Sequence, residues 1–218
     1  MVMKVIIYGA GQNGRIVLEI LQSQNIYKVI GFIDDNKQLQ NRTINNIPIL
    51  GDSSCLTRLI TDNYMLSAIV TIGDNEKRAD KINLLKNIKF NLINVIHKKT
   101  IISKNVKFGE NIQITAGAII NTGCKIGNNV IINTAATIDH DNEIGNNVQI
   151  CPGVHLAGSV KLKDNAFIGT GSVIVNNITI GKNAIVGAGS VIIKDIPDNA
   201  VVVGIPGKVR QKIKGKLI

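Results

Sequence analysis

Cut into blocks of six from Lys107, the chain carries an apolar residue at the second place of fifteen successive blocks, from Phe108, Ile114 and Ile120 on to Val186 and Ile192. The sixth place is small or β-branched, as at Ala118, Cys124, Val130, Ala136, Val148, Ala166, Ala184 and Ser190, with Asn142 the polar exception. Neither a 3.6-residue helix nor a two-residue strand alternation requires a six-residue period with one large aliphatic plug. A three-sided β-solenoid does: each block supplies a short flat strand and a corner, and three blocks close a coil of eighteen residues. A finer signal recurs at that longer spacing, in Phe108-Gly-Glu-Asn, Ile126-Gly-Asn-Asn, Ile144-Gly-Asn-Asn, Leu162-Lys-Asp-Asn and Ile180-Gly-Lys-Asn. It predicts one corner made of residue types that tolerate positive φ. Fifteen blocks give about five coils over 107–196, a prism on the order of 24 Å tall at the usual strand spacing.

The first half has a different rhythm. Lys4-Val-Ile-Ile-Tyr8 reads as a buried strand, and Gly9-Ala-Gly-Gln-Asn-Gly14 opens an amphipathic helix through about Leu21. A second apolar strand, Val29–Ile33, leads into Asp34-Asp35, where a dinucleotide domain keeps its ribose-binding acid. Strands around Ala68–Ile72 and Leu92–Val95, with a helix near Lys77–Lys86, complete a short parallel sheet. The 97 residues ahead of the repeat domain leave room for one mononucleotide-binding half, not for the doubled unit a dinucleotide needs. A helix N-terminus behind a Gly-rich turn binds phosphate whatever that phosphate carries, so a single pyrophosphate ligand is expected. The predicted fold is an α/β Rossmann-like domain (1–97), a β-helix domain (98–206) and a basic tail (207–218).

Composition sharpens this only in places. Aromatics are 3% of the chain and Trp is absent, so both cores must be built from Ile, Val, Leu and Ala. Half of the net charge of +10 sits at the end, in Lys208, Arg210, Lys212, Lys214 and Lys216. Such a tail favours anions; without interleaved aromatics or a recognisable module, phosphorylated small molecules fit better than nucleic acid. No run of about 18 apolar residues and no secretion signal is present, which predicts a cytoplasmic chain without membrane insertion. Cys55, Cys124 and Cys151 lack metal or disulfide spacing and read as small buried apolar residues.

With its sixes over 107–196 and the turn Gly204-Ile-Pro-Gly-Lys208 after them, the second half resembles the left-handed parallel β-helix, or hexapeptide-repeat, acyltransferases. Four further blocks extend the likeness to nearly the whole chain: Tyr8-Gly-Ala-Gly-Gln-Asn-Gly14, Phe32-Ile-Asp-Asp-Asn36, Thr71-Ile-Gly-Asp-Asn-Glu-Lys-Arg78 and Ile138-Asp-His-Asp-Asn-Glu-Ile-Gly145. Together they resemble the sugar O-/N-acyltransferases of the sialic-acid O-acetyltransferase type, including those that act on nucleotide-linked 4-amino-4,6-dideoxy sugars. The resemblance implies a homotrimer with acyl-CoA in the grooves between neighbouring prisms, and a nucleotide-sugar in the small N-terminal domain. It implies acetyl transfer from acetyl-CoA to the sugar 4-amino group in bacterial glycan biosynthesis, with no metal. The substrate residues it points to are Gly9, Gly11, Gln12, Asn13, Gly14, Asp34, Asp35, Gly73, Asp74 and Arg78. O-acetylation of a sialic acid or its CMP form is the first alternative. A nicotinamide-dependent oxidoreductase and a non-catalytic trimeric nucleotide-binding scaffold are the alternatives from other classes.

Acetyl transfer from a thioester needs a base at the nucleophile and donors aimed at the carbonyl oxygen. Of three histidines, His97 precedes the coils and reads as structural, while His140 takes a block's fourth place beside a corner and is bracketed by Asp139 and Asp141. By resemblance, His140 and Asp141 match the family's His-acid pair, with His140 the base; block geometry leaves Asp139 and Asp141 both open as its partner. Where several relatives carry a second histidine near the thioester, this chain has Gln149, which can donate a hydrogen bond but cannot titrate. His155 is a wall residue that could touch the ligand. Ala157, Gly158, Gly169, Gly171, Gly187, Ala188 and Gly189 keep the wall low enough for a pantetheine arm, with Lys208 and Arg210 for CoA phosphates. Gly158, one coil beyond His140, is the expected N–H donor to the thioester oxygen.

Overall fold

The computed structural model describes residues 2–62 and 66–212, the last two by backbone alone. Lys214 and Lys216 of the basic tail, and the side chain of Lys212, lie outside what the structure describes. The chain divides into two compact units, Met1–Lys98 and Lys99–Ile218.

In the first unit the order is β1 (Met3–Tyr8), α1 (Gln12–Gln22), β2 (Tyr27–Ile33), β3 (Thr43–Ile44), β4 (Ile47–Gly51), α2 (Leu56–Asp62), β5 (Ser67–Val70), α3 (Asn75–Asn87), β6 (Asn91–Leu92) and β7 (Val95–Ile96). The sheet runs β3-β4-β2-β1-β5-β6, parallel apart from the β3–β4 hairpin. β1 is apolar on both faces because helices cover both. Val5 and Ile7 pack with Val17, Leu18 and Leu21 of α1, whereas Ile6 and Tyr8 pack with Ile82 and Leu85 of α3. The chain therefore leaves β1 toward opposite faces of the sheet on its two sides, and the crevice between the carboxyl ends of β1 and β5 is the place where such sheets hold ligands. The β3–β4 hairpin and α2 were not anticipated; the hairpin turns on Asn45 and Asn46, both with positive φ, a two-residue turn that needs no glycine.

In the second unit two-residue parallel strands stack at eighteen-residue intervals into three walls, a left-handed β-helix. One wall runs Ile101–Ile102, Ile119–Ile120, Thr137–Ile138, His155–Leu156, Val173–Ile174 and Val191–Ile192. The next begins at Lys107–Phe108 and ends at Thr179–Ile180. The third runs from Gln113–Ile114 to Ile185–Val186 and is extended by Ala200–Val203. Fourteen of the fifteen plugs are buried, and Phe108 at the open end is half-buried. Within the second unit the stacked strands thus start at Ile101, one strand earlier than the sixes suggest.

The repeated Gly/Asn corner divides its labour. Asn111, Asn129, Asn147, Asn165 and Asn183 carry the positive φ, between 55° and 62°. The glycines before them do not; a Cβ on Gly127 would stand 2.8 Å from the backbone of Gly145, so glycine serves close stacking of coils there. The basic tail is structured at its start, where Lys208–Lys212 pairs antiparallel with Ala200–Val203 across a turn holding a cis Ile205–Pro206 bond.

Candidate active site

His140 sits on the corner between the strands Thr137–Ile138 and Glu143–Ile144, with Asp141 in the left-handed region at φ 58°. Its Nδ1 is 2.9 Å from Asp141 Oδ2. Asp141 is therefore the ring's partner. Asp139 does other work: its Oδ1 accepts from the His140 backbone N–H at 2.8 Å and from Asn121 Nδ2 at 2.9 Å, and these bonds hold its carboxyl below the usual range. With Nδ1–H donated to Asp141, the neutral imidazole presents the Nε2 lone pair. The hydrogen bond to Asp141 raises the His140 pKa against desolvation, and the charges of Asp139 and Asp141 add to the rise. Both side chains are open to solvent, 54% exposed for His140 and 64% for Asp141.

Two glycines make room for this pair. The ring of His140 lies over Gly158 of the next coil, and a Cβ on Gly123 of the preceding coil would run into Asp141 Oδ1. No acceptor among the described residues takes the Gly158 N–H. Behind the corner, the buried amide of Asn142 donates to the carbonyls of Asp139 (2.7 Å), Ala157 (2.9 Å) and His140 (3.3 Å). Sequence reading missed Gly123 and Asn142; a carboxamide at a sixth place, where the other blocks have small, β-branched or aliphatic side chains, was the signal for the second.

The wall beside the corner holds a hollow of about 490 Å³, lined among others by Asn121, Asp139, His155, Ala157, Val173 and Asn176. His155 Nδ1 is 2.7 Å from Thr137 Oγ1. The remaining residues expected at acyl-CoA lie elsewhere. Gly169, Gly187 and Ala188 occupy the corner at the opposite edge of the same wall, and Gln149 stands on the wall with Ile131 and Phe167, its Oε1 buried without a partner among the described residues. Lys208 is exposed at the start of the closing strand. One prism does not bring this set together.

In the first unit a crevice of about 750 Å³ opens at the carboxyl ends of β1 and β5. Gly9, Gly11, Gln12, Asn13, Asp34, Asp35 and Gly73 line it. The helix behind it has no side-chain cap at Gly11, so its first N–H groups face the crevice. A Cβ on Gly14 would collide with the Gly9 carbonyl, which makes this glycine a requirement of the turn and not a wall of the crevice. Asp34 accepts from the Ala10 amide at 2.7 Å and the Asn36 amide at 2.9 Å, bracing the Gly-rich turn. Asp74 caps α3 through the Lys77 N–H. Arg78 corrects an expectation: it is fully buried, and its guanidinium donates to the Ile72 and Gly73 carbonyls and to Asn75 Oδ1. Burial lowers it to about 10 despite nearby Asp74, and it shapes the loop beneath the crevice without presenting charge to it.

The cations that line the crevice are instead Lys77, which is exposed, and Lys81, which is half-buried; sequence reading did not single them out. Lys81 Nζ is 2.7 Å from Asp35 Oδ2 and lies 5.6 Å from the centre of the Tyr8 ring, whose hydroxyl donates to the same oxygen at 2.8 Å. Burial and then the bond to Asp35 push Tyr8 up to about 12. Burial alone would raise Asp35, but hydrogen bonds from Lys81, the Ser53 amide and Tyr8 outweigh it and hold the carboxyl at about 2.

Residues 4–85 match the family described as PglD N-terminal domain, and residues 143–176 and 159–194 match bacterial transferase hexapeptide repeats. No curated protein matches the chain in sequence. Among solved structures, PerB from Caulobacter crescentus, in complex with CoA and GDP-perosamine, is 33% identical over 97% of this chain and 99% of its own, at a TM-score of 0.91. The chain belongs to the hexapeptide-repeat sugar N-acyltransferases. The acetyltransferase domain of PglB from Neisseria gonorrhoeae is 32% identical over 95% of this chain and 99% of its own, at a TM-score of 0.86. WeeI from Acinetobacter baumannii shares 28% identity over 95% and 100%, again at 0.86. In this family frame the two sets of residues above, one per unit, are the parts to be given roles.

Proposed function

We propose that this protein transfers the acetyl group of acetyl-CoA to the 4-amino group of a nucleotide-activated 4-amino-4,6-dideoxy sugar, as a cytoplasmic homotrimer in bacterial glycan biosynthesis. The observation that carries the reading is the 2.9 Å contact between His140 Nδ1 and Asp141 Oδ2, which leaves Nε2 open above a glycine. Nε2 takes a proton from the sugar amine as its nitrogen attacks the thioester carbonyl. The Gly158 N–H is the donor to the oxygen that becomes negative, and collapse expels CoA thiolate, which is protonated on leaving. Asp141 keeps the ring in the working tautomer and stabilises the imidazolium. No covalent acyl-enzyme is needed.

The crevice of the first unit has the chemistry for the nucleotide diphosphate: open helix N–H groups, with Lys77 and Lys81 opposite. The relatives named above include one solved with CoA and GDP-perosamine, which supports the substrate class. The division of the expected acyl-CoA residues between two edges of one wall supports a trimer, because the edge of one prism can face the other edge of its neighbour.

The test is release of CoA from acetyl-CoA against UDP-, GDP- and dTDP-linked 4-amino sugars and CMP-sialic acid, with product mass as readout and His140→Ala alongside. A gain of one acetyl group on an amino sugar, lost in the variant, is expected. Turnover on CMP-sialic acid alone, or full activity of His140→Ala, would overturn the assignment.

A further inference from the structure

We infer that Asn142 is a positioning residue for the His140–Asp141 pair, a role its buried side-chain amide performs by clamping the corner backbone between two coils. The inference rests on His140 acting as the base.

The sixth place of each block points into the prism, and elsewhere it is mostly filled by small apolar groups such as Ala118, Ala136, Ala166 and Ala184, each fully buried. A fully buried carboxamide at the same place is costly, because burial strips it of water and its Oδ1 finds no partner among the described residues. Its Nδ2, however, is spent on backbone. The bond to the Ala157 carbonyl ties the corner to the next coil, immediately before Gly158. The bonds to the Asp139 and His140 carbonyls fix the two peptide units from which the imidazole departs.

Other polar sixth places show how much of this is ordinary. Cys124 Sγ donates to the Asp139 carbonyl at 3.0 Å, and Ser172 Oγ donates to the Gly187 carbonyl at 3.0 Å. Each acceptor lies fifteen residues on, as Ala157 does from Asn142. A thiol or hydroxyl at this place therefore suffices for the inter-coil bond. What only Asn142 adds is the second pair of bonds, within its own coil, to the corner that carries His140. Cys124 from the preceding coil reaches the same Asp139 carbonyl, so this corner is pinned from both sides. Backbone bonds also hold this corner, from the Ser159 N–H to the His140 carbonyl and from the Asp141 N–H to the Thr122 carbonyl, both at 2.9 Å, and the Asn142 amide completes the set from inside the prism. A small displacement of a reacting group is expensive in rate.

Asn142→Ala is the direct test, and the prism already houses alanine at this place in four coils. Melting temperature and oligomeric state are recorded first. The expected result is a kcat at least about tenfold lower, with KM for acetyl-CoA and amino sugar within about twofold of the parent. The acid limb of kcat/KM should move to lower pH, since a loosened His140–Asp141 contact releases the imidazole toward its ordinary value. Asn142→Ser, which can restore the bond to Ala157 alone, should fall between alanine and the parent, and it carries the test by itself if the alanine variant does not fold. Parent-like kcat and acid limb in either folded variant would overturn the inference, as would a loss expressed only as raised KM. If His140→Ala itself keeps full activity, both the base assignment and this role fall; an inactive His140→Ala beside an unaltered Asn142→Ala removes the positioning role only.

Discussion

The imidazole of His140 lies over the α-carbon of Gly158, one coil on. A Cβ built there would stand 2.5 Å from Cε1 and 2.6 Å from Nε2. The backbone of Gly158 is in no region closed to alanine, so the glycine is there for the ring above it. Gly158→Ala should therefore fold normally, swing the imidazole off its corner and lower kcat by about 100-fold, the lower range of what a positioned general base contributes. Nucleotide-sugar affinity should not change. Because both variants remove one function, Gly158→Ala combined with His140→Ala should be no slower than His140→Ala alone, and additive losses in steady-state kinetics would refute this.

Asp141 sets where on the pH axis the base works. Its hydrogen bond is the largest cause of the raised His140 pKa, and the base acts in its neutral form, so activity falls as pH drops through that raised value. Asp141→Asn removes this cause. The acid limb of kcat/KM should then move to lower pH while the plateau falls, since an amide can hold the ring in the wrong tautomer. A limb that stays in place, measured over pH 5 to 9 on the order of half-unit steps, would exclude Asp141 as the partner.

In the first unit, Gly14→Ala places a methyl against the Gly9 carbonyl, a backbone atom that cannot step aside. We expect a loss of about 3 kcal/mol in that unit, toward the upper end for overpacking, and no detectable nucleotide-sugar binding by calorimetry. Lys81→Met is the milder companion: the crevice keeps its shape, loses a cation, and should bind the nucleotide-sugar about tenfold more weakly with acetyl-CoA unaffected.

How much of this was legible depended on how directly physics writes on sequence. The prism was, because every interior position recurs at a fixed interval and a side chain must fill it; only the early start at Ile101 escaped, although Ile102 keeps the six-residue register, because the sixes were counted from Lys107. His140 was legible from its place beside a corner, and the choice of Asp141 over Asp139 was not, because it turns on which carboxylate the backbone amide of His140 consumes. In the first unit the Gly-rich turn announced the crevice, but charge alone misled: Arg78 is buried under the loop, and Lys77 and Lys81, a turn apart on α3, line the crevice. A helix face is set by packing, and the polar face of α3 carries too many charges for spacing to single one out.

The walls of the prism differ in what they show outward, and under the proposed trimer the difference points to one wall as the contact between subunits. One shows Lys107, Lys125, Glu143 and Lys161 outward, with Glu143 paired to both Lys125 and Lys161, a solvated surface. The wall beside His140 instead shows Ile101, Ile119, Thr137, His155, Val173 and Val191, with Ile101 67% and Val173 37% exposed. Apolar side chains flanking Thr137 and His155 on a flat, regular wall without a formal charge are what association covers, and a charge placed among them would be buried unpaired. Val173→Lys should consequently give a monomer by analytical ultracentrifugation at concentrations where the parent is a trimer. Its β-helix should stay intact by circular dichroism, because Val173 points away from the core and its neighbour Ile174 fills it. Acetyl transfer should be lost while the first unit still binds nucleotide-sugar, since the proposed trimer holds acyl-CoA between two prisms. A trimeric Val173→Lys, or an active monomer, would show that this wall is not the interface.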